Sequence, residues 1–437
     1  MKGAAAGILL FWGIFAGVMS VYLLTLCPSI YWGDSAEFVT VVHTLGVPHP
    51  TGYPLYCIFG KIFDLLPFGN PASRLNLFSA LAASLGVAVV FLIVRASLLS
   101  APELSSRSLA MAFWAAACLA FTQLYWSQAI IAEVYSLSAL LIALLILVSF
   151  RNWHVPQRSY EIAFGLLAGL CLTHHAQSVF VIMPLGLLMI WRMGFSTGYM
   201  RRWLAMGVCA IVPLGLYLYL PLRSRANPPI DWGNPETLAN FLWMISGGQF
   251  KMFLWKGLTG SSSLLAYWSR MTTFYATQFW SQWHLLSLLI PFGIRRLWKH
   301  DRAPCFALVV AWVALVFHAL NYQVGDLEVY FLPTYLIAVV FMAHGLFDIL
   351  EWLGQRASPS YTKALNAAVL CIPLAFLTAN LPYVSLSGFR AAEDYGVSVF
   401  EQVQAPAVII THSDNDIYPL WYQKYVCGLG QDVAVVG

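Results

Sequence analysis

Long apolar runs recur from one end of this 437-residue chain to the other, and no other feature limits its possible folds so sharply. A helix needs about 20 apolar residues to cross the hydrocarbon core of a bilayer, and somewhat fewer where it stops short inside protein. Such runs lie at roughly 5–26, 73–94, 108–123, 129–150, 160–173, 176–192, 203–221, 283–297, 304–320, 328–350 and 364–382, about eleven spans in all. Only 10% of the residues are charged, against about 25% in an average soluble domain, which is too few to cover a water-facing surface. The expected fold class is an all-α polytopic membrane protein. The first run is too long for the apolar core of a cleaved signal peptide. The bulky Leu26 before Cys27 also argues against a lipoprotein box, so this run is read as the first span. The eight cysteines show no metal-ligand spacing and mostly sit inside apolar runs, as small core residues do.

Basic residues set the orientation. One set of short connections holds Lys2, Arg95, Arg107, Arg151, Arg158, Arg192, Arg201, Arg202, Arg295, Arg296, Lys299, Arg302, Arg356 and Lys363, which are 14 of the 23 lysines and arginines. That face is cytoplasmic. The net charge of +4 therefore speaks to topology and not to nucleic acid, which is not expected as a partner.

The opposite face carries three long segments, 27–72, 222–282 and 383–437. In the first, Phe38, Val41, Val42 and Leu45 recur at helical spacing, an amphipathic helix expected to lie on the membrane. The prolines of the following Val47–Pro54 stretch make a stiff non-helical turn, and a second amphipathic segment follows at about 55–66. In the second segment, Asn234-Pro235-Glu236 is a helix start, and Leu238, Phe241, Leu242 and Ile245 form another interfacial stripe. Trp243, Trp255, Trp268, Trp280 and Trp283 read as an interfacial belt or as stacking faces for a sugar. In the third, Ala407–Thr411 and Asp432–Val436 read as strands around a helix through Leu420, Trp421 and Tyr425. Two strands rarely stand alone, so this unit either docks on the membrane domain or begins a larger one. The division expected is a transmembrane domain over 1–383 and an extracytoplasmic α/β segment over 384–437.

This topology gathers Asp34, Glu37, His43, His49, Gln123, Glu133, His174, His175, Arg223, Arg225, Asp231, Asp326 and Glu328 at one depth, near the outer bilayer boundary. Ionisable groups there are costly unless paired or wetted, and they mark functional sites by default. Asp34 and Glu37 have the spacing of a capping box. Asp34 also projects close to the apolar stripe, where its carboxylate can act as general base on a hydroxyl. Arg223 and Arg225 are guanidinium groups on the face that should be poor in them, suited to a lipid-linked phosphate or simply to headgroups. His174 and His175 can be metal ligands, general acids or core residues. Neighbours on a helix point about 100° apart, so both rarely serve one ion. Glu133 is either a structural partner of Arg225 or a histidine, or a substrate ligand.

Several stretches together resemble one family. They are Tyr31-Trp32-Gly33-Asp34-Ser35-Ala36-Glu37-Phe38, Gly46–Leu55 with its Pro48-His49-Pro50-Thr51-Gly52-Tyr53-Pro54 core, Ala132–Tyr135 and Thr173-His174-His175. Tyr219–Ser224, Asp231–Pro235, Tyr330–Tyr335 and Ser413–Tyr422 continue the series. In that order they resemble the membrane protein O-mannosyltransferases typified by transmembrane protein 260, within the GT-C glycosyltransferase superfamily. The resemblance implies a GT-C fold and inverting transfer of a sugar, mannose in the eukaryotic members, from a polyprenyl-phosphate donor to a protein or glycan acceptor outside the cytoplasm. It implies Asp34 as catalytic base with Glu37 as helper. Arg223, Arg225, His174 and His175 would serve the donor phosphate, and His49, Tyr53, Glu133, Asp231 and Trp232 the substrate. No cofactor is expected, and a divalent metal is the less favoured option. The expected setting is a bacterial inner membrane with the site facing the periplasm or exterior. Relatives extend beyond the βαβ start, so part of acceptor recognition is expected further along. The rivals are a secondary transporter or flippase, which should show repeated halves and midplane charges, and a non-catalytic lipid-phosphate-binding protein, which would need the arginines but not Asp34.

Overall fold

Every apolar run is helical, but not every helix is long enough to cross a membrane. The computed structural model describes residues 2–98, 106–194, 196–254, 256 and 263–437, so Trp255 lies outside the described residues. Among these, eight helices are long and apolar enough to span: Ala6–Thr25, Pro71–Leu98, Tyr135–His154, Ala176–Met193, Thr197–Ser224, Arg302–Asn321, Leu327–Gly354 and Ser360–Val384. A ninth arises if a pair bent by 69° counts as one span. The expectation of about eleven is not reached by this measure, because two runs are short. Arg158–His174 has 17 residues and ends where His175 turns extended. Leu289–His300 has 12, because a 3-10 turn at His284–Leu288 precedes it.

The elements that position the face bearing Asp34 are α1 (Lys2–Thr25), α2 (Asp34–Thr44), α3 (Pro54–Asp64), α4 (Pro71–Leu98), α5 (Ser106–Ala120), α6 (Gln123–Ala129), α7 (Tyr135–His154) and α8 (Arg158–His174). The bent pair is α5 and α6. At the break, the Thr122 hydroxyl donates to Leu119 O at 3.0 Å and its backbone is extended. A side chain bonding its own backbone in this way competes with the helix. The bend sends α6 beneath the first outer loop, where Trp126 Nε1 donates to Thr25 Oγ1 (2.9 Å) and Cys27 N to Ile130 O (3.1 Å). The chain stays irregular to Val134, so the expected fourth span begins only at Tyr135. Elsewhere the bundle closes on small residues, the usual device where lipid offers no hydrophobic drive. A Cβ on Gly293 would strike the Phe341 carbonyl of the facing helix, and one on Gly345 the Leu289 carbonyl.

In the segment 27–72, α2 is buried and not laid on the membrane as its amphipathic pattern suggested, whereas the second amphipathic segment leaves Phe59, Ile62 and Leu65 exposed. Phe38, Val39, Val41 and Val42 of α2 are fully enclosed. The turn after α2 is held by a distant segment: Val47 N donates to Ile230 O (2.9 Å) and Trp232 N to Val47 O (3.2 Å). Gly46 permits this approach, since a Cβ there would lie 2.6 Å from the Ile230 carbonyl oxygen. The tail forms the expected βαβ unit. β1 (Ala407–Ile410) pairs in parallel with β2 (Val433–Val436) around the helix Asp414–Tyr425. That helix packs on α2 and buries Tyr418, Leu420 and Tyr422. A preceding helix, Ala391–Gln402, was not anticipated.

Candidate active site

Asp34 is the first residue of α2, with Gly33 as N-cap and no side-chain cap. The capping-box reading therefore does not hold, and Glu37 shows why. Its carboxylate is turned inward, fully buried, and accepts from His49 N (2.9 Å) while its other oxygen meets His49 Nδ1 at 2.5 Å. The far nitrogen of the same ring, Nε2, lies 3.8 Å from Asp34 Oδ2. Phe38, Tyr53 and Phe250 pack around the imidazole with ring centroids 5.4, 5.2 and 5.9 Å away. One histidine is thus set between two carboxylates of a single helix.

Asp34 and His49 line a cavity of about 350 Å³. Tyr53 and Asp326 join them in its wall, together with an aromatic and histidine set that includes Tyr135, His175, Phe250, His318, Tyr322 and Tyr330. Asp326 accepts from the Tyr135 hydroxyl at 2.9 Å. Tyr330 anchors an aromatic wall, 4.9 Å from Tyr322 and 5.6 Å from His175 between centroids. Lys251 is the lysine or arginine that lines the cavity among the described residues.

The electrostatics follow from this crowding of acids. Burial, with Glu37 and Asp326 adding to it, pushes the Asp34 carboxyl up to about 7 against the opposing pull of His49. Burial alone would depress His49, but Glu37 and Asp34 hold the imidazolium at about 10. Glu133 is raised well above the ordinary carboxylate range, by burial first and then by Asp34 and Asp326. One of its oxygens is buried with no partner.

The predicted site residues thus divide. Asp34, His49, Tyr53 and His175 line the cavity, with Glu37 directly behind His49. His174 does not line it: its Nε2 meets Val134 O at 2.8 Å and its ring stacks on Tyr56. Glu133 is likewise buried outside the lining. Arg223 and Arg225 stand apart from it as well. Arg223 Nε donates to Leu45 O (2.7 Å), clamping the carbonyl at the left-handed end of α2, and Arg225 faces outward and is exposed. Asp231 and Trp232 belong to the strap around Val47, where Asp231 Oδ2 accepts from the Ser224 hydroxyl at 2.7 Å. Asp34, Glu37 and His49 offer ligand atoms within 4.8 Å of one another, a donor set that suits a divalent cation. Such an ion would have to displace the Glu37–His49 bond.

Comparison with known proteins finds sequence similarity over part of a family model and to two of its members. Residues 34–197 match the model described as the Protein O-mannosyl-transferase TMEM260 N-terminal domain, a match that begins at Asp34. The chain is 27% identical to the mouse (Mus musculus) Protein O-mannosyl-transferase TMEM260 over 97% of its length, covering 62% of that protein. It is 26% identical to the Dictyostelium discoideum protein of the same name over 52% of its length and 29% of the relative's. It is similar to the TMEM260 O-mannosyltransferases. The fold agrees: the crystal structure of ArnT from Cupriavidus metallidurans bound to undecaprenyl phosphate superposes with a TM-score of 0.59 at 12% identity, covering 99% of this chain and 90% of that one. The apo form of the same protein gives 0.61 over 95% and 84%. This is a GT-C-type, multi-pass integral membrane fold.

In this TMEM260-like chain, sequence reasoning flagged Asp326 by its depth alone and passed over Tyr322, His318 and Lys251. The stretch Tyr330–Tyr335 was one of the quoted motifs, and it supplies part of the aromatic wall. Lys251 gave no signal, since it is one lysine in a long loop.

Proposed function

We propose that the chain is an inverting glycosyltransferase that moves a mannose-like hexose from a polyprenyl-phosphate donor to a serine or threonine hydroxyl on the extracytoplasmic side. In a bacterial inner membrane that side is the periplasm. The observation that carries the reading is Asp34, a carboxylate raised to about 7 in the wall of an aromatic-lined cavity. A base poised near neutral pH is what proton abstraction from an alcohol needs. The apolar and aromatic walls suit a sugar and the first isoprene units. Lys251 supplies the positive charge for the donor phosphate, the role read from sequence for Arg223 and Arg225, and His175 lies on the same cavity.

The step is one displacement. The acceptor oxygen bonds to the anomeric carbon as its proton passes to an Asp34 oxygen. The bond from that carbon to the phosphate oxygen breaks, and polyprenyl phosphate leaves with the electron pair. Attack from the face opposite the leaving group inverts the centre. His49, held cationic by Glu37, keeps Asp34 from rising further, so Glu37 acts through His49 and not on substrate. The reaction is read as metal-independent, because Glu37 and His49 already satisfy each other; transfer should therefore survive chelation.

The test is transfer from radiolabelled polyprenyl-phosphate mannose by the purified chain in detergent, with a membrane extract as acceptor source. Transfer that is lost in Asp34→Asn while donor still binds supports the reading. No transfer, combined with substrate uptake into liposomes, would replace it with a transporter.

A further inference from the structure

A second cavity, of about 320 Å³, lies among Tyr31 of the first loop, α6, the segment before His284 and the end of the last spanning helix, and is assigned no role above. Its chemistry differs from that of the first. Four glutamines line it, Gln123 and Gln128 from α6 and Gln278 and Gln282 from the segment before His284, with Glu328 as the one charged side chain of the lining among the described residues. The remainder is mostly aliphatic, Leu124, Ile131, Val384 and Leu386, with Ser127, Tyr31 and an exposed Tyr383. The Gln128 side-chain oxygen is buried with no partner. A buried polar atom left unpaired is costly, and it is kept where something else pairs it. Gln282 spends its oxygen on Leu124 N (3.0 Å), which leaves its amide hydrogens to give.

We infer that this cavity holds the acceptor as an extended peptide segment, delivering its hydroxyl to Asp34 from the side opposite the donor; this rests on the transferase reading above. Side-chain amides give and accept one hydrogen bond each in the geometry a peptide group offers. A peptide alternates such groups with apolar side chains, as the lining alternates amides with Leu124, Ile131, Val384 and Leu386. A glycan presents hydroxyls on most edges and would stack on Tyr383, the exposed ring of the lining, so competition by a free glycan is the outcome that tells the two ligands apart. A phosphate is disfavoured by Glu328 and by the absence of any lysine or arginine in the lining. Two short links join the cavities. Tyr31 lines the second and Asp34 the first, and likewise Glu328 the second and Asp326 the first. Three residues of chain reach at most about 11 Å, so Asp34 lies within a short step of a hydroxyl entering from the second cavity.

The experiment uses the full chain in nanodiscs and a serine- and threonine-containing peptide carrying a photoreactive group. Without donor, illumination should label Gln123–Ile131 or Gln278–Gln282 in the wild type, and excess unlabelled peptide should suppress it. With donor, Gln128→Leu and Gln278→Leu should each raise KM for the peptide about fivefold, with a smaller change in kcat, and together about twentyfold. Labelling elsewhere, or KM unchanged in the double variant, overturns the acceptor site. Competition by a free glycan but not by peptide overturns the peptide assignment. Because cross-linking needs no donor, it stands or falls separately from the transferase reading, which fails if donor is never consumed.

Discussion

On the arginine-rich face, Glu161 is almost wholly buried and both its oxygens bond Arg202, while Arg296 bridges Asp348 and Glu351 at 3.0 and 3.1 Å. On the opposite face, Asp34, Glu37, Glu133 and Asp326 gather near one histidine, and Glu133 keeps an oxygen with no partner. The first pattern neutralises charge and fixes how helices pack. The second sets acids together in a buried site, where burial first and neighbouring carboxylates second raise Asp34 and Glu133, and such an arrangement costs stability and is characteristic of sites that do chemistry. The comparison therefore separates groups that hold the bundle together from groups that act.

The largest effect should come from Asp34→Asn. Loss of a general base costs about 10²–10⁴ in rate, so transfer should fall by about three orders of magnitude while donor binding persists. The same change should stabilise the protein. Asp34 titrates near 7 in the fold and near about 3.9 unfolded, so its ionisation opposes folding increasingly from pH 4 to 7 and fully above. Thermal unfolding at pH 8 should move upward in the variant, with little difference at pH 4. A variant that is inactive and also less stable at pH 8 would make Asp34 structural and remove the contrast between the faces.

Next is Lys251→Ala, expected to raise KM for the donor about ten- to fiftyfold, the worth of one charge-assisted contact to phosphate. On the opposite face, Glu161→Gln should lower stability by on the order of 1–2 kcal/mol and leave the transfer rate within about twofold. Scanning calorimetry beside the activity assay distinguishes the two. A smaller effect belongs to His49→Gln. Activity should rise through pH 7 in the wild type as Asp34 ionises. Removing the cation that holds Asp34 down should shift this limb to higher pH.

Much of this was legible in the sequence because membrane constraints act locally. Apolar run length gave the helices, and the residues singled out in the first loop, Asp34, Glu37 and His49, are the ones the fold brings together. What stayed hidden depends on segments far apart in the chain. The strap between Val47 and Ile230–Trp232 spans more than 180 residues, and no local pattern announces it. Arg223 shows why charge alone misleads: sequence gives the guanidinium but not the Leu45 carbonyl that faces it. The aromatic wall was masked by its own abundance, since 15% of residues are aromatic and most read as membrane belt. The two short helices were not distinguishable from full spans in the sequence, because His175 and His284 end or interrupt them by backbone conformation, without a proline or glycine to mark the place.

Arg225 provides the sharpest small test. It sits on the same face as Asp34, yet it is exposed and outside the cavity. Arg223, two residues earlier, is tied to the end of α2. If position relative to the cavity decides function, Arg225→Ala should change donor KM and kcat by no more than about twofold, the scale of a screened surface charge. Arg223→Ala should lower both activity and stability, because it frees the carbonyl that closes the helix bearing Asp34. The two variants should also differ in salt dependence, with neither the wild type nor Arg225→Ala losing much donor affinity between low and physiological salt. A tenfold or greater loss in Arg225→Ala would mean that the donor phosphate reaches this outer surface. The donor would then lie across the loop and not in the aromatic cavity, and Lys251 would lose its assigned role.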